Sequence, residues 1–140
     1  MCDSDWSSDV CSSDLWLNKA DEDLGTAKIV HVHMPDYKDT VSFHCQQAVE
    51  KYLKACLVKW DVDFPKTHNL RTLLDYLSDY VDIDETWYDK AGELEFYAVH
   101  IRYPTGRYNP SEVRDKEALE AAEAFREWLV PQINKSEQTE

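Results

Sequence analysis

The sequence predicts an all-α fold, an antiparallel up-and-down bundle of about five helices. The chain has 140 residues, a length that suits one domain. Only three glycines and five prolines interrupt it, too few for the frequent turns of a β-sandwich or barrel. Ala, Leu, Glu, Lys and Gln are common, and these residues favour helix. Length, scarce turn residues and composition therefore point to the same fold class.

Five segments have apolar residues spaced three or four positions apart, which is typical of amphipathic helices. Asp36 or Asp39 is a candidate cap for the second of these helices, and Thr67 or Asn69 for the third. The connections are mostly short, so we expect neighbouring helices to pack antiparallel. The predicted helices span about residues 15–34, 38–60, 69–81, 86–101 and 111–133.

The first fifteen residues differ from the rest, because they are rich in Ser and Asp and lack a helical period. The stretch at 5–15 resembles the translation of a common sequencing-library adapter, which would make it an artefact at the edge of a DNA fragment. The alternative is a natural disordered tail. The predicted organisation is a non-native or disordered tail at 1–15, a helical domain at 16–133 and a polar tail at 134–140.

The formal net charge of −13 indicates a chain that nucleic-acid backbones repel at long range. This counts against indiscriminate nucleic-acid binding but leaves room for a local basic site. No apolar run approaches the roughly 20 residues that a membrane span needs. The N-terminus has no basic region followed by an apolar stretch, so it does not look like a secretory signal. We expect a cytoplasmic protein without a membrane partner.

The histidines and cysteines do not have the spacing of a metal site. His31 and His33 are two positions apart and point in different directions on a helix. There is no His-x-x-x-His or Cys-x-x-Cys motif and no Gly-rich phosphate loop, so we predict neither a metal nor another cofactor. Cys45 and Cys56 fall about 16 Å apart on one helix, too far for a disulfide. Both are expected to be reduced core thiols.

The strongest local feature is a basic and aromatic cluster at 97–108, around the end of the fourth helix. Guanidinium groups bind phosphate in a fork, and tyrosine rings stack on bases. The predicted ligand-binding residues are Arg102, Tyr103, Arg107 and Tyr108, with His100 just before them. The alternative is structural, because a cation such as Arg102 also suits the negative end of a helix dipole or an acidic neighbour.

Four segments, in this order and spacing, resemble those of HEPN domains (higher eukaryotes and prokaryotes nucleotide-binding), in the prokaryotic branch that contains RYP. Together they extend over most of the chain from residue 16 to about 130. The segments are WLNKADEDLGTA at 16–27, FHCQQAVEKYLKA at 43–55, THNLRTLL at 67–74 and RYP at 102–104. The chain is thereby identified as HEPN-like.

The resemblance implies an antiparallel helical bundle that pairs as a homodimer. It also implies a nucleotidyltransferase-domain partner, in toxin–antitoxin-like or nucleotide-handling pairs of bacteria or archaea. Our leading hypothesis is therefore a homodimeric binding module that holds a nucleotide or an RNA phosphate near Arg102, Tyr103 and Arg107. A purely structural, partner-binding bundle without catalysis is an alternative.

A second alternative is a metal-independent ribonuclease toxin. Many HEPN proteins are such enzymes, with an Arg, four to six variable residues and then a His at the dimer cleft. Here Arg102 occupies the Arg position but no His follows it, and His100 precedes it. Without that His, acid–base cleavage loses its usual agent. Arg102 and His100 are the catalytic candidates if the motif is degenerate, but we favour a non-enzymatic role.

Polar residues elsewhere in the HEPN-like segments allow two interpretations. Gln46, Gln47 and Lys51 line either a polar groove or a solvated helix face, and the helix face or a set of dimer contacts is the favoured interpretation. His68 is expected to cap the third helix locally rather than to bind a ligand.

Overall fold

The computed structural model describes residues 12–102 and 115–134, and of residues 97–102 it describes the backbone alone. Within these residues the chain forms five helices and no strand. They are α1 (Ser13–His33), α2 (Lys38–Lys59), α3 (Leu70–Leu77), α4 (Glu85–Arg102) and α5 (Asp115–Ile133). The predicted all-α class and number of helices are thus confirmed.

The first helix begins two residues earlier than the apolar period predicted. The Ser12 hydroxyl accepts a hydrogen bond from the Leu15 N–H at 3.3 Å and so caps the first turn of α1. At the other end, α1 stops at His33, close to the predicted position. The helical part of the chain therefore includes three residues of the segment that we set apart as a tail.

The predicted caps are right for α3 and wrong for α2. Asn69 caps α3, since its Oδ1 accepts from the Thr72 N–H at 2.9 Å. The N-cap position of α2 is Tyr37, whose side chain makes no capping hydrogen bond, so neither Asp36 nor Asp39 caps that helix. α3 also ends at Leu77, four residues before its predicted end. The predicted start of the fifth helix, 111–114, lies outside the described residues.

α2 is the central helix, and each of the other four helices packs against it. A helix with neighbours on most sides is buried around most of its circumference, which explains its long apolar segment. The buried apolar side chains of α2 are Val41, Cys45, Ala48, Val49, Tyr52, Leu53, Ala55, Cys56 and Leu57. Burial raises the pKa of both the Cys45 and the Cys56 thiols to about 12, so both are inert core thiols.

α1 runs antiparallel to α2 and to α5. Near the start of α1, the Trp16 ring lies 5.4 Å from Lys54 Nζ, in the second half of α2. Near its end, His31 Nδ1 lies 3.1 Å from Asp115 Oδ2, at the start of α5. The end of α1, the start of α2 and the start of α5 therefore meet at one end of the bundle.

The short α3 runs parallel to α2. Residues 61–69 extend from the end of α2 back to the level of its middle, where α3 begins. His68, before α3, contacts Glu50, and Tyr80, beyond α3, stacks on Trp60 with ring centroids 6.2 Å apart. α4 then returns antiparallel to α3, with Tyr88 bound to Asp75 through a 2.7 Å hydrogen bond. The last turn of α4 therefore lies at the end of the bundle where α2 begins.

None of the helices in the described ranges combines the length and the apolar character that a membrane crossing requires.

Candidate functional site

The predicted ligand-binding residues lie at and beyond the end of α4. Arg102 is the last residue of that helix, and His100 precedes it by two positions. The side chains of these two residues, and the whole of Tyr103, Arg107 and Tyr108, lie outside the described residues. Their roles stay predictions, and the structure locates only the helix end that carries them.

Residues of α3 and α4 fix the level of that helix end. The Leu70 N–H, at the start of α3, donates to Glu95 Oε2 of α4. Arg102 is seven residues further on, about 10 Å along the helix axis. Since α4 runs antiparallel to α2, its end lies near the level of the first half of α2.

Five polar side chains follow one side of α2, between α1 and the start of α3. We call them the polar strip. They are Gln46, Gln47, Glu50, Lys51 and Lys54. Gln46 and Glu50 are 3% exposed and Lys54 is fully buried, whereas Gln47 and Lys51 are half-buried. The favoured prediction of a solvated helix face is therefore wrong for Gln46, because α2 turns this residue toward the start of α3.

One end of the polar strip is organised around Asp23 of α1. Asp23 Oδ1 lies 3.0 Å from His44 Nδ1, and Asp23 Oδ2 lies 2.6 Å from Lys51 Nζ. The side chains of His44 and Lys51 are 28% and 22% exposed. A single carboxylate thus holds an imidazole and an ammonium group, both from α2, at the partly open edge of the strip.

The other end repeats this arrangement around Glu50. Its Oε2 accepts from Lys54 Nζ at 2.9 Å and lies 2.9 Å from His68 Nδ1. The pKa of Lys54 is lowered by burial, although the neighbouring Glu50 opposes this. The His68 side chain is 61% exposed and extends beyond the buried carboxylate. The sequence predicted that His68 would cap α3. In the structure Asn69 caps that helix, and the His68 ring lies against Glu50 instead.

A chain of hydrogen bonds connects the two ends of the strip. Lys51 Nζ donates to Gln47 Oε1 at 3.4 Å, and Gln47 Nε2 donates to Gln46 Oε1 at 2.9 Å. Gln46 Nε2 then donates to the backbone carbonyl of His68 at 3.3 Å. Networks in which each member has a partner fix the orientation of their side chains. The two carboxylate–histidine pairs are therefore parts of a single ordered array.

Two acidic oxygens make the array unusual. Glu50 Oε1 is buried and has no hydrogen-bond partner among the described side chains. Glu95, across from it on α4, has a pKa raised by burial, with Glu50 raising it further and the Leu70 N–H and Arg71 lowering it. The inner side of the strip thus carries two carboxyl groups and the buried Lys54, whereas Lys51 lies at the partly exposed edge.

A separate polar cluster ties α1 to α2 and α5. Asp21 Oδ1 accepts from Tyr52 Oη at 2.5 Å and from Arg126 Nε at 3.0 Å. Burial and the bond to Asp21 raise the pKa of Tyr52. The Tyr52 ring is fully buried in the core, so this cluster serves to hold three helices together. Among the described side chains, no group of three or more His, Cys, Asp or Glu residues is placed to hold a metal ion.

Only some residues of this site could be identified from the sequence. The spacing of His44, Gln47 and Lys51 places these residues on adjoining faces of one helix, and the groove interpretation included two of them. Their acidic partner Asp23 lies on another helix, and His68 comes from a loop. No local pattern predicts such long-range pairs, so the two carboxylate–histidine pairs were missed.

Comparison with known proteins agrees with this architecture. The family described as "HEPN domain" matches residues 13–135. The crystal structure of an archaeal HEPN homologue is similar in fold, with a TM-score of 0.70 and 20% sequence identity over 89% of this chain and 100% of the other. None of the curated proteins matches the chain. The match over nearly the whole helical region shows that this chain belongs to the HEPN domain family.

Proposed function

We propose that the protein is a homodimeric HEPN module that binds a nucleotide or an RNA phosphate and works with a nucleotidyltransferase-domain partner. The observation that carries the proposal is the position of Arg102 as the last residue of α4, with Tyr103 and Pro104 next in the sequence. In a family member of this net charge, residues 97–108 gather two arginines and three tyrosines in a short segment. The homodimer, the partner and the toxin–antitoxin-like setting rest on family membership.

The chemistry of that stretch suits a phosphate ligand. Arginine binds a phosphate through two parallel N–H groups, and tyrosine rings stack on the attached base. A chain with a formal net charge of −13 repels nucleic acid elsewhere on its surface, so binding depends on this local cluster. We therefore expect few phosphate contacts and a modest dependence of affinity on salt.

Charge reversal at Arg102 tests the proposal. We expect Arg102→Glu to abolish binding of a fluorescently labelled single-stranded RNA, measured by anisotropy with the full chain. A matched control is Lys19→Glu, which makes the same change of charge at an exposed position near the start of α1. The control should bind as the wild type does, because the start of α1 lies at the opposite end of the bundle from the end of α4. Circular dichroism of both variants checks that they remain helical.

Equal RNA affinity of Arg102→Glu and the wild type would show that the site lies elsewhere. Light scattering on the same samples tests the homodimer, since the chain mass is 16.4 kDa and a dimer has twice that value. A monomeric mass at the concentration used for binding would remove the homodimer from the proposal.

A further inference from the structure

Two aromatic rings are exposed together where α2 and α3 end. Trp60, at the C-cap of α2, and Tyr80, three residues beyond α3, stack with ring centroids 6.2 Å apart and 25° between their planes. We call them the aromatic pair. Trp60 is 37% exposed and Tyr80 is 51% exposed. A single exposed apolar side chain is ordinary, whereas adjoining exposed aromatic rings are typical of surfaces that contact another molecule.

Carboxylates flank both members of the aromatic pair. Residues 60–64 and 75–85 contain seven acidic residues and no basic one. Asp61 directly follows one ring and Asp79 directly precedes the other, and both acids are exposed. None of the ion pairs between described side chains uses either acid. The nearest basic residue in the sequence, Lys59, is half-buried. The surface around the pair is therefore negative and suits a cation.

Three of the seven acids have a role in the fold itself. Asp75 accepts a hydrogen bond at 2.7 Å from a tyrosine of α4. Asp84 and Glu85 lie at the start of α4, where the positive end of the helix dipole favours acids. Asp61 and Asp79 lie instead beyond the ends of helices, where the dipole disfavours a negative charge. These two carboxylates therefore need another explanation.

Two helix ends add to the negative charge at the aromatic pair. α2 and α3 run parallel, and the stacked rings show that their C-terminal ends lie side by side. The C-terminus of a helix carries a partial negative charge that favours a cation within about one turn. The last turn of α3 holds no basic residue of its own. A cation from another molecule would satisfy both helix ends at once.

Asp61 holds its carboxylate in an unfavourable backbone conformation. Its φ of 60° is the only positive φ in the described ranges. The Val62 N–H bonds to the Leu57 carbonyl at 2.9 Å around this residue, a helix ending in which glycine is usual. Aspartate adopts the left-handed region less readily than glycine does. The carboxylate beside Trp60 therefore costs stability, as is common for residues that serve binding.

We propose that the aromatic pair is a docking surface for an arginine-bearing segment of a partner protein. A guanidinium group is planar and always charged, so it stacks on an aromatic face while its N–H groups donate to carboxylates. The pair supplies the face, and Asp61 and Asp79 supply the carboxylates. The same charges repel a nucleic acid. The surface lies at the opposite end of the bundle from Arg102, so the inference goes beyond the proposed nucleotide binding and is independent of it.

Anisotropy of labelled peptides tests the proposal with the full chain. The probes are an arginine-rich peptide and a lysine-rich peptide of the same length and charge. We expect the arginine-rich peptide to bind the wild type more tightly, because an ammonium group cannot stack as a planar cation. Tyr80→Ala should weaken its binding about fivefold and remove most of the preference for arginine. Tyr37→Ala, at a similarly exposed ring at the other end of the bundle, should bind as the wild type does.

Charge variants separate a local site from general attraction to an acidic chain. Asp61→Asn and Asp36→Asn change the net charge equally, and Asp36 is exposed in the turn between α1 and α2. We expect Asp61→Asn to weaken binding of the arginine-rich peptide about threefold and Asp36→Asn to leave it nearly unchanged. Asp61→Gly should weaken binding to the same degree while raising the thermal midpoint, because glycine relieves the backbone. Loss of binding in a more stable variant cannot come from unfolding.

Three results would overturn the proposal. Equal affinity of the wild type for the two peptides would mean that no guanidinium group stacks on the aromatic pair. An equal loss in Asp61→Asn and Asp36→Asn would mean that only the net charge attracts the peptide. A lower mass of Tyr80→Ala than of the wild type in light scattering would mean that a second copy of this chain covers the aromatic pair.

Discussion

At the scale of single residues, Asp21 shows how one carboxylate links three helices. Burial tends to raise its pKa, but the hydrogen bonds from Arg126 and Tyr52 and the charges of Arg126 and Lys28 outweigh burial and lower it. An acid whose pKa is lower in the folded state adds stability above its unfolded pKa. That contribution is lost as the pH falls through the folded value.

We therefore expect Asp21→Asn to melt below the wild type at neutral pH. The difference in thermal midpoint should shrink as the pH falls below about 4, because the carboxyl of the unfolded chain takes up a proton there, and it should vanish once the folded carboxyl, with its lower pKa, is also neutral. Asp82→Asn is the matched control, because Asp82 is an exposed acid in the turn before α4. A midpoint difference for Asp21→Asn that stays constant from pH 7 to pH 3 would mean that the charge of Asp21 adds nothing to stability.

The sequence predicted the roles of some single residues and not of others, for a physical reason. Asn69 was a predictable cap, because a helix cap depends on residues within one turn. The roles of His68 and Asp23 were not predictable, since each depends on a carboxylate or an imidazole brought from a distant part of the chain. The RYP residues were found from their local composition, and their function stays a prediction.

At the scale of elements, the helix pattern was predictable because its apolar period is local. All five helices were predicted, and the largest difference at a described end is at α3, which stops at Leu77. After that residue the chain enters turns, where the Ser78 and Tyr80 N–H groups bond to carbonyls three or four residues back. The direction of α3 relative to α2 could not be predicted, because residues 61–69 carry no local pattern that fixes their path.

The buried Glu50–Lys54 pair within α2 allows a test of how that helix is stabilised. Lys54→Met should lower the free energy of unfolding by about 3 kcal/mol, because it removes the ammonium group that pairs with a buried carboxylate. The double variant Glu50→Leu/Lys54→Met should lose less than the single variant, since no unbalanced charge remains in the interior. Urea denaturation measures both values.

Lys51→Met is the matched control for that pair, because Lys51 also binds a carboxylate but is 22% exposed. We expect a smaller loss, since solvent reaches the remaining charge on Asp23. If the double variant proves less stable than Lys54→Met, the buried ion pair is itself stabilising and the desolvation argument fails for α2.

At the scale of the whole molecule, the bundle brings the ends of four helices together. The starts of α2 and α5 and the ends of α1 and α4 meet at one end of the bundle, so the last turn of α4, which ends at Arg102, lies near the level of the start of α2. The fold class and family followed from patterns along the chain. This meeting of helix ends did not, because it depends on how antiparallel helices align with one another in space.

The division of the chain into a tail and a helical domain yields the last prediction. Ser12 caps α1, and Trp16 packs against the core with its ring near Lys54. The folded unit should therefore begin near residue 12. We expect a chain of residues 12–140 to have the same thermal midpoint as the full chain. A chain of residues 17–140 should melt at a lower temperature, because it lacks the cap and the Trp16 ring that covers Lys54. A lower midpoint for 12–140 than for the full chain would mean that residues 1–11 stabilise the fold, which neither a natural disordered tail nor a translated adapter would do.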